Sequence, residues 1–356
     1  MSNPNKPAHQ KISFVTAKDG TRIAVARMGK GPTILKAGNW LSHATHDGES
    51  PIWRHWLQEL SRDHQLIRYD LRGCGLSDRD VEDISFDAWL SDLEAVAKTI
   101  DGPVTLLGLS QGCALSIAFA LRHPQKVERL ILIGSYAQGM LARGDATNAQ
   151  LEADTLANLV RLGWGKEVQA FNQVFTHLFV PSGTPEQHSW WRRLERESAS
   201  PEIALRTLEI LHKIDVLADA AKLDVPALIF HANDDARIPF DEGRKLAAVI
   251  AGAQFVALDT ANHILLENEP AWEVFLKTFR AFLPETRTHR PVRAADHLTN
   301  AEEDVVALVA KGMGNHEIAA TLRKSEKTVR NQITVALGKV GVRSRSELIV
   351  KVLSDG

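Results

Sequence analysis

The sequence predicts an α/β protein with a doubly wound, mostly parallel sheet and a helical cap, followed by a small all-α domain. Three observations support this prediction. Short apolar runs such as VTLLGL and RLILIG alternate with helical stretches, as is typical of strands buried on both faces of a parallel sheet. Residues 137–222 contain no convincing strand and are rich in aromatic residues, which indicates a helical insertion. Residues 298–353 contain four short helical segments with capping residues at their ends.

The predicted elements of the first 284 residues alternate between strand and helix. Each strand candidate is a short apolar run, and the third helix ends before Pro124, which cannot continue a helix. The predicted strands are 12–16, 21–27, 32–37, 65–69, 104–109, 129–134, 226–231 and 254–258, and the helices are 52–62, 86–100 and 111–123.

Length and composition limit the class of protein. The chain has 356 residues and a mass of 39.3 kDa, which fits about two domains of roughly 150 residues. Hydrophobic residues make up 44% and charged residues 24%, so a wholly disordered chain is excluded. The two cysteines are too few for a disulfide framework and favour a reducing compartment. There is no long apolar run and no secretory signal at the start, so we expect a cytoplasmic protein without membrane contact.

The composition predicts a linker between two domains. The segment 284–297, PETRTHRPVRAADH, holds two prolines and three arginines and few large apolar residues. We therefore expect one domain at 1–284 with its cap at about 137–222, a linker at 285–297 and a second domain at 298–356. The whole chain has a net charge of −2, but residues 285–356 hold 12 basic against 9 acidic residues. Any affinity for nucleic acid is therefore expected to be local to this end.

A candidate nucleophile follows the fifth predicted strand. The sequence VTLLGLSQG runs from a strand through the pattern G-x-S-x-G into a helix and places Ser110 at the turn. A sharp turn of this kind lifts the serine oxygen above the sheet and requires glycine on both sides. The pattern alone occurs by chance in many chains, so its position between strand and helix carries the inference.

The partners of such a serine are expected in the order acid, then histidine. The segment HANDDARIP follows the strand PALIF and offers Asp235, with Asp234 as the second choice. His263 follows the strand QFVAL. Alone, each residue would be read as a turn former or a surface residue. Together, each after its own strand, they predict a catalytic triad.

These residues resemble those of the α/β-hydrolase family over 12–284. The segment RYDLRGCGLSD at 68–78 adds to the resemblance and is expected to be structural. The resemblance implies Ser110 as nucleophile, His263 as general base and Asp235 as the acid that orients it. Hydrolysis of an ester, thioester, lactone or amide would fit.

The same resemblance implies an oxyanion hole built from two backbone N–H groups. The first belongs to Gln111, directly after the nucleophile. The second comes from the loop KAGNWLSH, where the chain has Ala-Gly in place of the family's common His-Gly. This departure leaves Asn39 as the expected donor and Trp40 as the alternative.

The aromatic insertion is expected to cover a largely apolar ligand pocket. We expect an acyl or aromatic ligand in it. Histidines 43, 46 and 55 lack metal-ligand spacing, so we expect neither a metal nor a cofactor. The predicted pocket residues are Trp40, Trp164, Phe171, Phe175 and Trp190.

The C-terminal segment has the pattern of a helix-turn-helix. Thr299 with Glu302 forms one predicted capping box, and Ser344 with Glu347 forms another. The second and third helices are joined by a short turn at 323–325. Residues 323–345 hold seven basic residues against one acid, which favours contact with phosphates over a plain solvated helix.

This segment resembles the LuxR-type DNA-binding domain over nearly all of 298–353. By resemblance, Lys327, Thr328, Arg330 and Asn331 face the major groove of duplex DNA, and Lys339 meets the backbone. Two departures are Ala301, where the family usually has Arg, and Gln332, where it often has His. The matching positions are Leu298, Thr299, Glu302, Asn315, Glu317, Ile318, Ala319, Ser325, Thr328, Val329, Lys339, Val342, Arg345 and Glu347.

The sequence therefore predicts a transcriptional regulator that binds double-stranded DNA as a homodimer. Its hydrolase-like domain would sense a small acyl, ester or lactone-like ligand, and whether it also hydrolyses that ligand stays open. The alternative is a metabolic serine hydrolase, an esterase or lactonase, whose helical tail serves oligomerisation.

Overall fold

The computed structural model describes residues 10–143, 146–166, 169–283, 298–340, 342 and 344–354. The chain divides into two compact units, Met1–Pro284 and Glu285–Gly356. The predicted linker at 285–297 lies outside the described residues.

An eight-stranded sheet forms the centre of the first unit, with the spatial order β1-β2-β4-β3-β5-β6-β7-β8. The β1–β2 and β2–β4 pairs are antiparallel, and the other pairs are parallel. β5 and β7 are buried along their whole length, as their unbroken apolar sequences predict. The predicted mostly parallel sheet is confirmed. The strands are β1 (Lys11–Thr16), β2 (Arg22–Met28), β3 (Thr33–Lys36), β4 (Gln65–Tyr69), β5 (Val104–Leu109), β6 (Val127–Ile133), β7 (Ala227–Ala232) and β8 (Gln254–Leu258).

Helices of the sheet layers follow the strands closely, and the first three are slightly shorter than predicted. The third stops at Arg122 because His123 precedes Pro124, and a residue before proline is biased away from the helical region. A short 3₁₀ turn, Pro124–Lys126, then leads into β6. These helices are α1 (Arg54–Leu60), α2 (Phe86–Ala97) and α3 (Gln111–Arg122), with α9 (Phe240–Val249) and α10 (Pro270–Phe282) near the end of the unit.

The cap lies between β6 and β7 and is helical, as predicted. Apart from one isolated bridge between Gln138 and Asp215, no strand occurs in its described residues. Proline at the first position and a serine or threonine N-cap start two of its helices at 185 and 201. The cap helices are α4 (Ala146–Gly163), α5 (Gln169–Phe179), α6 (Pro185–Ser198), α7 (Pro201–Lys213) and α8 (Leu217–Ala220).

The segment after β4 is structural, as expected. Arg72 makes a bidentate ion pair with Asp92 on α2, with hydrogen bonds of 2.9 and 2.7 Å, and both side chains are buried. Asp70 accepts the backbone N–H groups of Ala44 and Leu76 at 3.0 and 2.9 Å. These bonds fix the loop that follows β3 against the sheet.

The second unit contains four helices in its described residues, packed around a small apolar core. Val305, Ile318, Val329 and Leu348 are fully buried, one from each helix. Arg323 ends the second helix in the left-handed conformation, with φ of 51°, and the third begins three residues later. The predicted helix-turn-helix is therefore present. The helices are α11 (Asn300–Ala310), α12 (Asn315–Leu322), α13 (Glu326–Val340) and α14 (Arg345–Ser354).

Candidate functional site

Ser110 occupies the sharp turn between β5 and α3. Its φ of 53° and ψ of −123° lie in a region that residues other than glycine rarely adopt. A side chain at Gly108 would lie 2.6 Å from the Cα atom of Cys113, so glycine is required there. The Ser110 N–H donates to the carbonyl of Ile133 on β6 at 2.9 Å, which fixes the strained turn to the sheet.

Asp235 and His263 form a buried pair. His263 Nδ1 and Asp235 Oδ2 are 2.7 Å apart, and neither side chain is accessible to solvent. Oδ1 of Asp235 accepts the N–H groups of Arg237 and Ile238 at 2.8 and 2.9 Å. Asp234, the second choice from sequence, is exposed. The geometry thus favours Asp235 as the partner of the histidine.

The electrostatic environment keeps Asp235 ionised. Burial by itself raises the pKa of this carboxyl. The charge and hydrogen bond of His263 and the N–H of Ile238 lower the pKa by a larger amount, so the net pKa is below its ordinary value. A carboxylate in this position stabilises a positive charge on the imidazole when the ring takes a proton.

The position of His263 relates it to the candidate nucleophile. A side chain at Gly134, directly after β6, would lie 2.7 Å from Cε1 of the imidazole, and Gly134 has a φ of +55°. β6 is the neighbour of β5, which leads to Ser110. Nε2 of His263 is buried and has no hydrogen-bond partner within the described residues. It is therefore the nitrogen available to a hydroxyl.

Of the two candidate oxyanion donors in the loop after β3, only one has no acceptor among the described hydrogen bonds. The backbone N–H of Trp40 already donates to the side-chain oxygen of Gln111 at 3.1 Å. The backbone N–H groups of Asn39 and Gln111 have no acceptor among the described hydrogen bonds. The arrangement favours Asn39 over Trp40 as the second donor.

Lys36 is a residue of this site that the sequence analysis did not single out. Its ammonium donates to Oδ1 of Asn39 and lies 5.6 Å from the centre of the Trp53 ring. Burial lowers the pKa of Lys36 to about 8, against the opposing charges of Asp47 and Asp70. A lysine at the end of a strand is usually exposed, so the only sequence signal was its position next to the oxyanion loop.

Aromatic side chains of the cap meet this loop. Trp40 stacks on Trp164 with ring centres 5.5 Å apart, and Phe175 contacts both rings at 6.2 and 6.0 Å. Three of the predicted pocket residues are thus brought together, one on the loop and two on the cap. The side chain of Phe171 lies outside the described residues.

The pocket role predicted for Trp190 stays a prediction. Trp190 is only half-buried and makes no described ring contact, whereas Trp191 is buried and stacks on Phe179 at 4.8 Å. Phe179 in turn contacts the His263 ring at 5.6 Å. The helical phase of α6 turns the second tryptophan inward, and two adjacent tryptophans do not reveal this phase. The four-residue spacing of Phe175 and Phe179 on one helix face was the available signal.

A buried carboxyl lies behind these aromatic residues. Nε1 of Trp191 donates to Oε1 of Glu195 at 2.9 Å, and Glu195 is 2% exposed. Burial raises the pKa of Glu195 from its ordinary 4.5 to about 8, because the charged form is poorly solvated. The folded chain therefore holds this carboxyl protonated at neutral pH.

Glu195→Gln is expected to change the pH dependence of stability. The unfolded chain releases the proton near pH 4.5 and the folded chain near pH 8, so the free energy of unfolding falls as the pH rises between these values. Gln keeps the oxygen that accepts from Trp191 but cannot ionise. We expect equal stability near pH 5 and about 1–3 kcal/mol more stability for the variant at pH 8.

Urea unfolding followed by tryptophan fluorescence measures this effect, because all eight tryptophans lie in the first unit. Glu186→Gln, at an exposed position of the same helix, serves as the control. Equal pH dependence in Glu195→Gln and the unsubstituted chain would contradict a buried protonated carboxyl.

The second unit presents a basic helix face. Lys327, Thr328, Arg330 and Asn331 are all exposed on α13. Val329 and Ile333 point into the core and fix the phase of the helix. Ser325 caps it, since its hydroxyl accepts the N–H of Thr328 at 3.1 Å. The four predicted groove residues thus share the solvent side of this helix.

Two other predicted positions make contacts inside the unit. Lys339 pairs with Glu302 of α11 at 2.9 and 2.7 Å, so its charge is already balanced within the fold. Its predicted contact with the DNA backbone stays a prediction. Gln332 and Ala301, the two departures from the family pattern, contact each other through a 3.4 Å bond from Nε2 to the carbonyl. Gln332 therefore joins helices rather than facing outward.

No group of three or more His, Cys, Asp or Glu side chains in the described residues could hold a metal ion. Nor does any described helix have the length and apolarity to cross a membrane.

The fold and the site define the class of protein. The first unit has the serine elbow, the acid–histidine pair and the helical cap of a hydrolase-type α/β fold, and the second has a helix-turn-helix. Residues 45–270 match the family model of the alpha/beta hydrolase fold, and residues 296–352 match that of bacterial regulatory proteins of the luxR family. The chain belongs to the α/β-hydrolase fold family, and it carries a C-terminal luxR-family domain. Both predicted resemblances are confirmed.

Relatives of the first unit include several hydrolases. The AB hydrolase superfamily protein YisY of Bacillus subtilis is 25% identical over 254 residues, which cover 70% of this chain and 91% of that protein. A pimeloyl-[acyl-carrier protein] methyl ester esterase of Nitrosomonas europaea is 25% identical, covering 73% of this chain and 98% of the esterase.

Solved structures give the same fold. The esterase EaEST from Exiguobacterium antarcticum aligns with a TM-score of 0.65 and 23% identity, over 76% of this chain and 98% of the esterase. The enol-lactonase from Burkholderia xenovorans aligns with a TM-score of 0.61 and 22% identity, over 76% of this chain and 99% of the lactonase.

Proposed function

We propose that this chain is a cytoplasmic transcriptional regulator that binds duplex DNA through α13 and senses a small acyl, ester or lactone-like ligand in its hydrolase unit. The observation that carries the proposal is the presence, in one chain, of the buried Asp235–His263 pair and an exposed basic helix in a helix-turn-helix. A homodimer on a two-fold DNA site fits this class of DNA-binding domain.

The proposed chemistry uses only side chains and backbone groups of this chain. Ser110 attacks the ligand carbonyl while His263 accepts the hydroxyl proton at Nε2. The oxyanion is bound by the backbone N–H groups of Gln111 and Asn39. Asp235 stabilises the protonated imidazole, which gives its proton to the departing alcohol, thiol or amine as the bond between that group and the acyl carbon breaks. His263 then takes a proton from a water molecule, and that water attacks the acyl-serine and releases the acid and the free Ser110 hydroxyl. Cleavage of the ligand would end or adjust the signal.

Stacked aromatic residues support an acyl or aromatic ligand. Trp40, Trp164 and Phe175 form one cluster, and Phe179 links the cap to His263. Their apolar surfaces favour hydrocarbon over strongly solvated ligands.

A mobility-shift assay of the full chain with DNA from upstream of its own gene tests the regulatory function. We expect a sequence-selective complex that competing DNA of unrelated sequence does not remove, at about 150 mM salt. Esterase assays on the same sample test the chemistry. If ester hydrolysis occurs without selective DNA binding, the chain is the alternative, a metabolic hydrolase with an oligomerising tail, and the proposal is wrong.

A further inference from the structure

Lys36 lies at the end of β3, directly before the loop that carries the expected oxyanion donor. Its side chain is half-buried, and its ammonium donates to Oδ1 of Asn39. The ammonium lies 5.6 Å from the centre of the Trp53 ring, which is within the range of a cation–π contact. The reaction proposed above assigns no role to this positive charge.

The side chain of Asn39 connects Lys36 to the rest of the loop. Asn39 is 1% exposed, and its Nδ2 donates to the carbonyl of Trp40 at 3.1 Å. The N–H of Trp40 donates in turn to Oε1 of Gln111, also at 3.1 Å. A series of hydrogen bonds thus runs from the Lys36 ammonium to the side chain of Gln111. It joins the two residues whose backbone N–H groups are expected to bind the oxyanion.

The loop also packs directly on the elbow. A Cβ atom at Gly112 would lie 3.1 Å from the carbonyl oxygen of Gly38, so glycine allows this close approach. The carbonyl of Gly38 belongs to the same planar peptide unit as the N–H of Asn39. This peptide unit therefore lies next to the start of α3. A small rotation of it would change the direction in which the Asn39 N–H points.

The charge of Lys36 depends on the groups that surround it. These are Asp47 in the loop after β3, Arg68 and Asp70 at the end of β4, and Cys113 on α3. Asp47 already pairs with Arg68 at 2.8 Å, and Asp70 accepts two backbone N–H groups. Burial lowers the pKa of Lys36 to about 8 and Arg68 adds to this effect, against the opposing charges of the two acids. Lys36 therefore loses most of its charge between pH 7 and pH 9.

We propose that Lys36 is a positioning residue for the oxyanion hole, and that its ammonium holds the Asn39 side chain so that the Asn39 N–H points at the oxyanion. The same charge lies beside the residue that carries this donor, where it favours the negative charge that develops on the ligand oxygen. Lys36 forms no bond to the ligand and takes no proton from it. This inference rests on the hydrolysis proposed above.

Hydrolysis of 4-nitrophenyl acetate and butyrate by the full chain tests the inference. Lys36→Met keeps a long side chain but removes its charge and hydrogen bond. We expect kcat and kcat/KM to fall together by at least about tenfold at pH 7, since outright loss of an oxyanion donor costs roughly 10²–10³-fold. The kcat/KM of the unsubstituted chain should itself fall about five- to tenfold from pH 7 to pH 9, and the variant should not show this fall.

Lys126→Met is the matched control. Lys126 is also half-buried and donates to a backbone carbonyl, that of Ile100, but it precedes β6 at the edge of the sheet opposite to Ser110. Its loss should leave the rate and the pH dependence unchanged. Asn39→Ala keeps the backbone N–H and should lose activity as Lys36→Met does. Because both residues act through one hydrogen bond, the double variant should lose less than the product of the two single losses.

The unfolding temperature of each variant shows that it is folded. Lys36→Met that hydrolyses like the control, or losses that multiply in the double variant, would overturn the positioning role and leave the proposed function intact. The absence of an alkaline fall in the unsubstituted chain would also overturn it, and this measurement needs no variant. If the unsubstituted chain hydrolyses neither ester, the proposed chemistry fails and this inference fails with it.

Discussion

Ser110→Ala is expected to lower kcat/KM for hydrolysis of short acyl esters by a factor on the order of 10⁴ or more. In the proposed reaction the strained turn presents the Ser110 oxygen, and the enclosed Nε2 of His263 takes its proton. Alanine keeps the turn and the cap but removes the atom that forms the acyl bond. Steady-state kinetics with a chromogenic ester measures the loss.

Ser116→Ala is the matched control for this prediction. Ser116 lies on α3, the helix that follows Ser110, and is buried, and its hydroxyl donates to the carbonyl of Gly112 at 2.7 Å. Removing it tests the loss of a buried hydroxyl near the elbow. If Ser110→Ala retained the activity of the Ser116→Ala protein, Ser110 would not be the nucleophile.

Arg330→Ala is expected to weaken binding to the specific DNA site by about 1–3 kcal/mol, roughly 5- to 150-fold. Arg330 is exposed on α13, the helix whose solvent side the predicted groove residues share. Loss of a base contact should also reduce the preference for that site over unrelated DNA, whereas loss of a phosphate contact would weaken both equally. Lys327→Ala is expected to act in the same range.

Fluorescence anisotropy titrations at several salt concentrations measure both effects. Lys311→Ala, which removes one exposed positive charge at the end of α11, is the control and should change affinity little. If Arg330→Ala and Lys327→Ala bind like Lys311→Ala, α13 is not the helix that enters the groove.

The sequence predicted the strand positions well because β5 and β7 are buried on both faces. Such strands are unbroken apolar runs, which are easy to recognise in a sequence. The order Ser110, Asp235, His263 could likewise be recognised in the sequence, since each residue follows its own strand. The contact of Asp235 with His263 at 2.7 Å bears on the choice between Asp235 and Asp234, which the sequence left open.

Features that depend on helix phase or on tertiary contacts could not be predicted from the sequence. Trp190 and Trp191 are adjacent, and only the packing of α6 decides which one is buried. The sequence placed Lys36 next to the oxyanion loop but did not reveal its contacts with Asn39 and the Trp53 ring, because these are tertiary contacts. Lys339 has the charge expected of a phosphate contact, yet its partner in the structure is Glu302, 37 positions earlier in the chain.

The central claim is that occupation of the hydrolase site changes the affinity of the C-terminal domain for DNA. The most direct measurement compares the Kd for promoter DNA of the full chain before and after its Ser110 is labelled with a small alkyl phosphonate ester. The claim predicts a change of about 5-fold or more, in either direction, and no change for Ser110→Ala treated in the same way. Identical Kd values for the labelled and unlabelled chains would contradict it.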